Sequence, residues 1–354
     1  MDYQSLSERL SFFRCPNCEG GKIQLSDNAS EGLICLDCGT AFPVLLNEFV
    51  CMLSKSGISD TKKRIQEFWG DICKQWYTGF DEKLTSELLY DYLDDLEQMF
   101  KCRMHLAVTE MELNTLKGKS VLEIGSGGGA HSALFKRCSA QVTSVDITIE
   151  RVVSTAKKLS LIKEGTGLSL QADAETLPFM DNSFDIVYSN GVLHHSENTE
   201  KCIAEVRRVL KPGGKAVIML YSRHSALYWL TLLPQTILSG LIFNVPEAER
   251  IGIITEGRPK HQDSKNPITR IYSKKQILSL FKEFNLASIR KSSFSFSQIP
   301  VAARIRPFIL KSLGCKRWKS GAIVYGAPNY AETRFELMLG KYFGFAWNVI
   351  ASKR

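Results

Sequence analysis

One segment constrains this chain more than any other: KSVLEIGSGGGAHSALF, residues 119–135. An apolar strand reaches Glu123, the turn Gly125-Ser126-Gly127-Gly128-Gly129 follows, and a helix opens near Ala130. Glycines in such number serve a tight turn that lets a ligand approach the backbone closely. From 120 to 221, short apolar runs alternate with helical stretches, the pattern of a parallel sheet with crossover helices. Strands are expected at 120–124, 141–146, 168–172, 184–189 and 215–221, and helices near 130–138, 148–160 and 199–210. Open α/β sheets bind ligands at the carboxyl ends of their strands, where the glycine turn, Asp146 and Asp173 all fall.

By itself the loop would also suit a dinucleotide. Glu123 at the strand end argues against it, because a carboxylate repels a pyrophosphate and favours a cation, and the spacing from Gly125 is not GxGxxG. Over about residues 119–221 the sequence resembles the class I S-adenosylmethionine-dependent methyltransferases, closest in wording to the branch that methylates small molecules such as quinone precursors and sterols. VLEIGSGGG is similar to their first motif, TSVDIT to the acidic motif, LQADAETLPFMDNSFDIVYSNGVLHH to the third and fourth, and VRRVLKPGGKAVI closes the set. The resemblance implies a Rossmann-like seven-stranded sheet with S-adenosylmethionine as cofactor. Glu123, Gly125, Ser126 and Gly127 would wrap its methionine end, Asp146 with Ile147 would take the ribose, and Asp173 with Ala174 the adenine edge. It puts SNGVLHH beside the methyl group, making Asn190 and His194 the catalytic candidates and His195 a substrate contact. Tyr77, with Trp69 and Trp76, would close over the cofactor. Plainer readings stand beside these: Asp146 as a helix cap, Asp173 as a turn former, the histidines and aromatics as packing. The loop after the fourth strand holds neither the Pro-Pro motif of nucleobase amino-methyltransferases nor a Pro-Cys nucleophile.

Near the N-terminus, Cys15-x2-Cys18 is followed after sixteen residues by Cys35-x2-Cys38. Two such knuckles supply four thiolates in the tetrahedron that structural zinc prefers, and the spacing is that of a zinc ribbon. A redox reading would need a strand-CxxC-helix context, which is missing. The segment resembles the small zinc ribbons that accompany methyltransferases as activating subunits or N-terminal fusions. A closed four-cysteine site leaves no open position for catalysis, so folding and docking are its expected roles. MDYQSLSERLSFFRC shows no apolar run behind a basic flank, so no signal peptide and a cytoplasmic location are expected. The implied organisation is a ribbon (1–55), a helical segment (56–118) and a methyltransferase domain (119–354) with a lid (222–270) and a basic insertion (298–340).

Hydrophobic residues at 44% and charged residues at 23% suit a globular protein and exclude a disordered or disulfide-stapled class. The net charge of +8 is uneven: from 258 to 354 there are 19 Lys and Arg against 4 Asp and Glu. Such a split suggests an anionic partner or simply a solvated basic face. Residues 225–246 carry no charge but are interrupted by Pro234 and Gly240, so two short helices forming a lid over the acceptor are expected rather than a membrane span. Peripheral membrane contact through 225–246 is the next reading. Beyond the lid, Arg270 is positioned to meet an acidic substrate group, and Ser273 with Gln276 opens a helix at 273–284, followed by strands at 286–297 and 344–352. The first functional reading is therefore transfer of a methyl group to a small-molecule acceptor, apolar or anionic, under the lid. An RNA methyltransferase gripping phosphates with the ribbon and basic third is the second, and a catalytically idle binding module the third.

Overall fold

The structure is a computed structural model that describes residues 10–26, 32–46, 49–54, 58–255 and 265–354. Seven strands form its central sheet: β1 (Ser120–Ile124), β2 (Gln141–Asp146), β3 (Thr166–Gln171), β4 (Phe184–Asn190), β5 (Leu210–Tyr221), β6 (Phe284–Ser292) and β7 (Ala346–Lys353). Their order is β3-β2-β1-β4-β5-β7-β6, parallel except for β7, which runs antiparallel to both neighbours. Both faces of the parallel strands are covered, which explains their nearly unbroken apolar runs. Val121 and Ile186 point into one core, Leu122 and Val187 into the other.

Helices α1 (Asp60–Cys73) and α2 (Ser86–Cys102) precede the sheet, and α3 (Ala130–Arg137), α4 (Ile149–Leu161) and α5 (Thr199–Val209) are the crossovers. Ser59 caps α1 by accepting from the Lys62 amide, and Thr85 caps α2 in the same way. Leu89, Leu93, Leu96 and Phe100 recur on one face of α2 and are fully buried. Two boundaries differ from the sequence expectation. Strand β5 begins at Leu210 because Lys211–Gly214 forms an irregularity within its pairing to β4 rather than a turn before it. Helix α6 (Lys274–Leu280) has the expected capping box but is shorter, and β6 starts at Phe284. The basic insertion is folded: it contributes α7 (Pro300–Ser312), a short helix at Gly321–Tyr325, and α8 (Arg334–Phe343).

The cysteine-bearing ribbon packs on the β3 edge. The Met52 amide donates to the Gln171 carbonyl at 2.8 Å, and Phe13 bridges Phe179 in antiparallel fashion. Phe13, Leu33, Phe42, Val50 and Met52 share one core with Leu168, Leu177 and Phe184. Ribbon and sheet therefore exclude water jointly. Phe13→Ala, which empties a site 3% exposed, is expected to cost about 3–5 kcal/mol. Urea unfolding followed by tryptophan fluorescence measures it; a loss below about 1 kcal/mol would mean that the ribbon and the sheet are energetically separate.

Candidate functional site

A cavity of about 350 Å³ opens at the carboxyl ends of β1, β2 and β4. The glycine turn forms its floor. Gly125 has φ +77° and a Cβ there would lie 2.3 Å from Val192, whereas Gly127 at φ +56° has nothing within 4 Å of where its Cβ would be. The loop is thus sterically closed behind and open toward the cavity, a cradle for a ligand that meets backbone. Above it stand Trp69, Trp76 and Tyr77, facing Ile323, Val324 and Tyr325. The Tyr77 hydroxyl donates to the Val324 carbonyl at 2.8 Å, and its ring would be 2.8 Å from a Cβ on Gly128. Trp69, Trp76 and Tyr77 thus line the space next to the glycine turn.

Asp146 lies in the wall at the end of β2. One carboxylate oxygen accepts from the Thr148 amide at 3.0 Å, the other from the Gly127 amide at 3.4 Å. Burial pushes its pKa up; the Arg151 guanidinium, 4.0 Å away, and the two amides oppose that. Ile147 is held by its carbonyl, which accepts from the amides of Gln66 and Gln171 at 2.9 Å. Asp173 and Ala174 line the far side. Asp173 pairs with Lys62 at 2.6 Å, and Lys62 also reaches Glu175 at 3.1 Å. Burial works against the Lys62 ammonium, but the two carboxylates outweigh it and raise its pKa. Sequence reasoning missed Lys62, Arg151 and Glu175. Arg151 lies 4.5 Å over the Trp69 ring, on a helix whose spacing signalled only amphipathicity.

Four expectations need correction. His194 is fully buried against Tyr221, ring centroids 3.8 Å apart; it is outside the cavity wall, and its nitrogens have no hydrogen-bond partner among the described residues. Burial and the neighbouring His195 hold its pKa well below the ordinary value. Arg270 is spent on the backbone, donating to the carbonyls of Ser196 and Glu197, the latter at 2.7 Å, so it clamps the loop after β4 instead of facing the cavity. Glu123 is buried behind the glycine turn, where it accepts from Ser132 and lies 3.5 Å from His131. No residue of 225–246 lines the cavity. Tyr228 and Leu232 pack instead on Ile251, Ile271 and Phe345, while Thr231 donates to the Gln298 carbonyl at 2.6 Å. Residues 225–246 therefore do not cover the cavity, residues 256–264 lie outside the described residues, and 266–269 support His195 from behind.

His195, in contrast, is in the wall. Its Nδ1 lies 3.0 Å from each of three groups, the Ile268 carbonyl, the Asn266 side-chain nitrogen and the Thr269 hydroxyl, which pin the ring in place. Its Nε2 is buried without a partner among the described residues, and burial lowers the imidazole pKa to about 4, so the ring is neutral near pH 7. Asn190 belongs to two cavities. The second, about 210 Å³, shares Asn190, Met219, Tyr221 and Tyr325 with the first and extends to Arg103, His105, Glu332 and Phe345. Arg103 donates to the Tyr325 hydroxyl at 2.6 Å and pairs with one oxygen of Glu332; the other oxygen is buried and has no hydrogen-bond partner among the described residues.

In the ribbon, the sulfurs of Cys15, Cys18, Cys35 and Cys38 lie within 4.8 Å of one another, with Cys15–Cys38 and Cys18–Cys35 both at 3.7 Å. Tetrahedral zinc with bonds of about 2.3 Å sets its sulfurs about 3.8 Å apart, so the donor set fits such an ion.

A family profile described as "Methyltransferase domain" matches residues 122–218, so this stretch carries a methyltransferase domain. Ubiquinone/menaquinone biosynthesis C-methyltransferases UbiE of Burkholderia mallei and Burkholderia thailandensis are 33% identical over 137 residues, 38% of this chain. The chain covers 56% of the length of these relatives. Among solved structures, magnesium protoporphyrin IX methyltransferase of Synechocystis, with bound S-adenosylhomocysteine, is similar at 13% identity and TM-score 0.45, covering 83% of this chain and 100% of that one. A SAM-dependent methyltransferase of Aquifex aeolicus gives 12% and 0.41, covering 77% and 100%.

Asp146 also yields a pH test. Its folded pKa is raised above the unfolded value of about 3.9, so its ionisation destabilises the fold; that cost is absent below about pH 3.9 and full above the folded pKa. Asp146→Asn is expected to melt higher than the parent at neutral pH, with the gap closing as the pH falls. Calorimetric scans over a pH series check it; a gap independent of pH would contradict the burial account.

Proposed function

Taking the methyltransferase domain as premise, we propose that the protein transfers a methyl group from S-adenosylmethionine to a small, largely apolar acceptor that carries a hydrogen-bond donor. The observation that carries this reading is the pair of cavities with a common wall at Asn190, Met219, Tyr221 and Tyr325. The larger suits the cofactor: a glycine cradle open to the cavity, the Asp146 carboxylate for the ribose, and Asp173 with Ala174 for the adenine. When bound, the cofactor supplies a methyl group on a sulfonium, transferred as the carbon–sulfur electron pair stays on sulfur and the acceptor releases a proton.

This chain's residues position and desolvate. Asn190, at the junction, holds the acceptor near the transfer point, and enclosing two reactants can supply about 7–11 kcal/mol of the acceleration. His195 stands in the cavity wall but, with a pKa of about 4, is a weak base. The unpartnered oxygen of Glu332 accepts from a hydroxyl or amine at the far end of the acceptor, because a buried carboxylate oxygen gains most from a donor that the ligand brings. Relatives named as C-methyltransferases of ubiquinone and menaquinone biosynthesis accord with such a ligand. We also assign a structural zinc ion to Cys15, Cys18, Cys35 and Cys38, where it would hold the knuckles that carry Phe13 onto the sheet.

Incubation with S-adenosylmethionine labelled in the methyl group, against demethylated quinols, simple phenols and total RNA, tests the function. Label in an organic-soluble product supports it; label in RNA alone contradicts it. With the accepted compound, Glu332→Gln is expected to raise KM about tenfold and leave S-adenosylhomocysteine affinity unchanged, the cost of weakening one charge-assisted hydrogen bond. Elemental analysis of protein purified without chelator is expected to find one zinc per chain. Cys35→Ser is expected to lower zinc content and the melting temperature together; zinc-free protein with native stability would refute the assignment.

A further inference from the structure

Helix α7 turns Leu310 and Arg306 inward, Arg306 pairing with Glu336 at 2.6 Å, yet keeps a second apolar side: Val301, Ile305, Phe308 and Ile309 stand outward, between 51% and 75% exposed. These positions recur at three and four, so they form one stripe along the helix. The stripe has neighbours. Thr231 bonds to Gln298 just before α7, and the Arg306–Glu336 pair ties α7 to α8. The segment 229–243 exposes Trp229, Leu238 and Phe243, and α8 exposes Phe335 and Tyr342. Exposed apolar surface gathered on adjoining elements marks a contact site rather than ordinary surface.

Charge selects the partner. Between Glu283 and Glu332 the chain has eight Lys and Arg and no Asp or Glu. Arg304 and Lys311, both exposed and beside the stripe, form no ion pair among the described residues. We propose that α7, with the outward sides of 229–243 and α8, docks on the surface of an anionic phospholipid bilayer. An amphipathic helix lying in the headgroup region buries its apolar face while flanking Lys and Arg meet lipid phosphates. A second copy fits less well, since a symmetric contact would bring the same unpaired cations together. Nucleic acid fits less well too, because contacts with a phosphate backbone need cations along the binding surface, whereas here the stripe itself is apolar and the cations flank it. No helix among the described residues is long and apolar enough to cross a membrane, so the contact is peripheral.

The test is sedimentation of the full chain with vesicles of phosphatidylcholine alone and with about one third phosphatidylserine. Binding to the anionic vesicles alone, weakened by salt, is expected. Phe308→Ser with Ile309→Ser, and separately Arg304→Glu with Lys311→Glu, should each lower the partition coefficient at least tenfold, with S-adenosylhomocysteine affinity and melting temperature unchanged. Equal binding to both vesicle types, no binding to either, or variants that bind like the parent would overturn the proposal. So would a solution dimer, or retention of RNA, that Phe308→Ser abolishes.

Discussion

The backbone of the Gly125–Gly129 turn organises the carboxyl end of the sheet, where the cavity opens. Gly125 donates to the Val145 carbonyl at 2.8 Å, Gly129 donates to Ser126 at 2.9 Å, and Thr155 bonds the Ser126 hydroxyl at 2.8 Å. These bonds tie β1, β2 and α4 to one loop whose positive φ angles only glycine adopts without strain. A Cβ at Gly129 would lie 2.6 Å from the Thr155 backbone, so the close approach of loop and helix needs glycine there as well. With the loop placed, Asp146 receives the Gly127 amide and the cavity gains its open floor. Tyr77 can rest on Gly128 only because that residue has no side chain.

Much of this was legible in the sequence because it depends on local rules. The glycine turn, the acidic residue ending β2 and the paired cysteines each need particular residue types at particular spacings, and the structure brings the members of each group together. The alternation of strands and helices was similarly readable, because parallel strands buried on both faces leave long apolar runs. Side-chain direction was not. His194 and His195 are adjacent in a single 3-10 turn, so one faces the cavity when the other faces the core, and a sequence of two histidines does not say which. Arg270 looked like a free cation, yet loop carbonyls some seventy residues away use it up.

The segment 225–246 shows a second limit. Its lack of charge does not say which residues turn inward: Tyr228 and Leu232 are buried, whereas Trp229, Leu238 and Phe243 stand exposed. The cavity is covered by α1, the turn after it and residues 323–325, which come from opposite ends of the sequence and meet through the Tyr77–Val324 hydrogen bond. The basic insertion, which the methyltransferase resemblance left unexplained, thus does two things: its inner residues roof the site and complete the second cavity, and its outer residues form an apolar face edged by cations. The ribbon is equally integrated, since its aromatic residues complete the core under the β3 edge.

The central claim is that one cavity holds the cofactor and the adjoining one the acceptor, with Asn190 between them. A crystal structure with S-adenosylhomocysteine tests it most directly. The account predicts the ribose hydroxyls on Asp146, the adenine beside Asp173 and Ala174, and the sulfur facing the wall shared by Asn190, Met219, Tyr221 and Tyr325. A sulfur directed toward Lys62 and Glu175, or a ligand bound away from the Gly125–Gly129 turn, would contradict it.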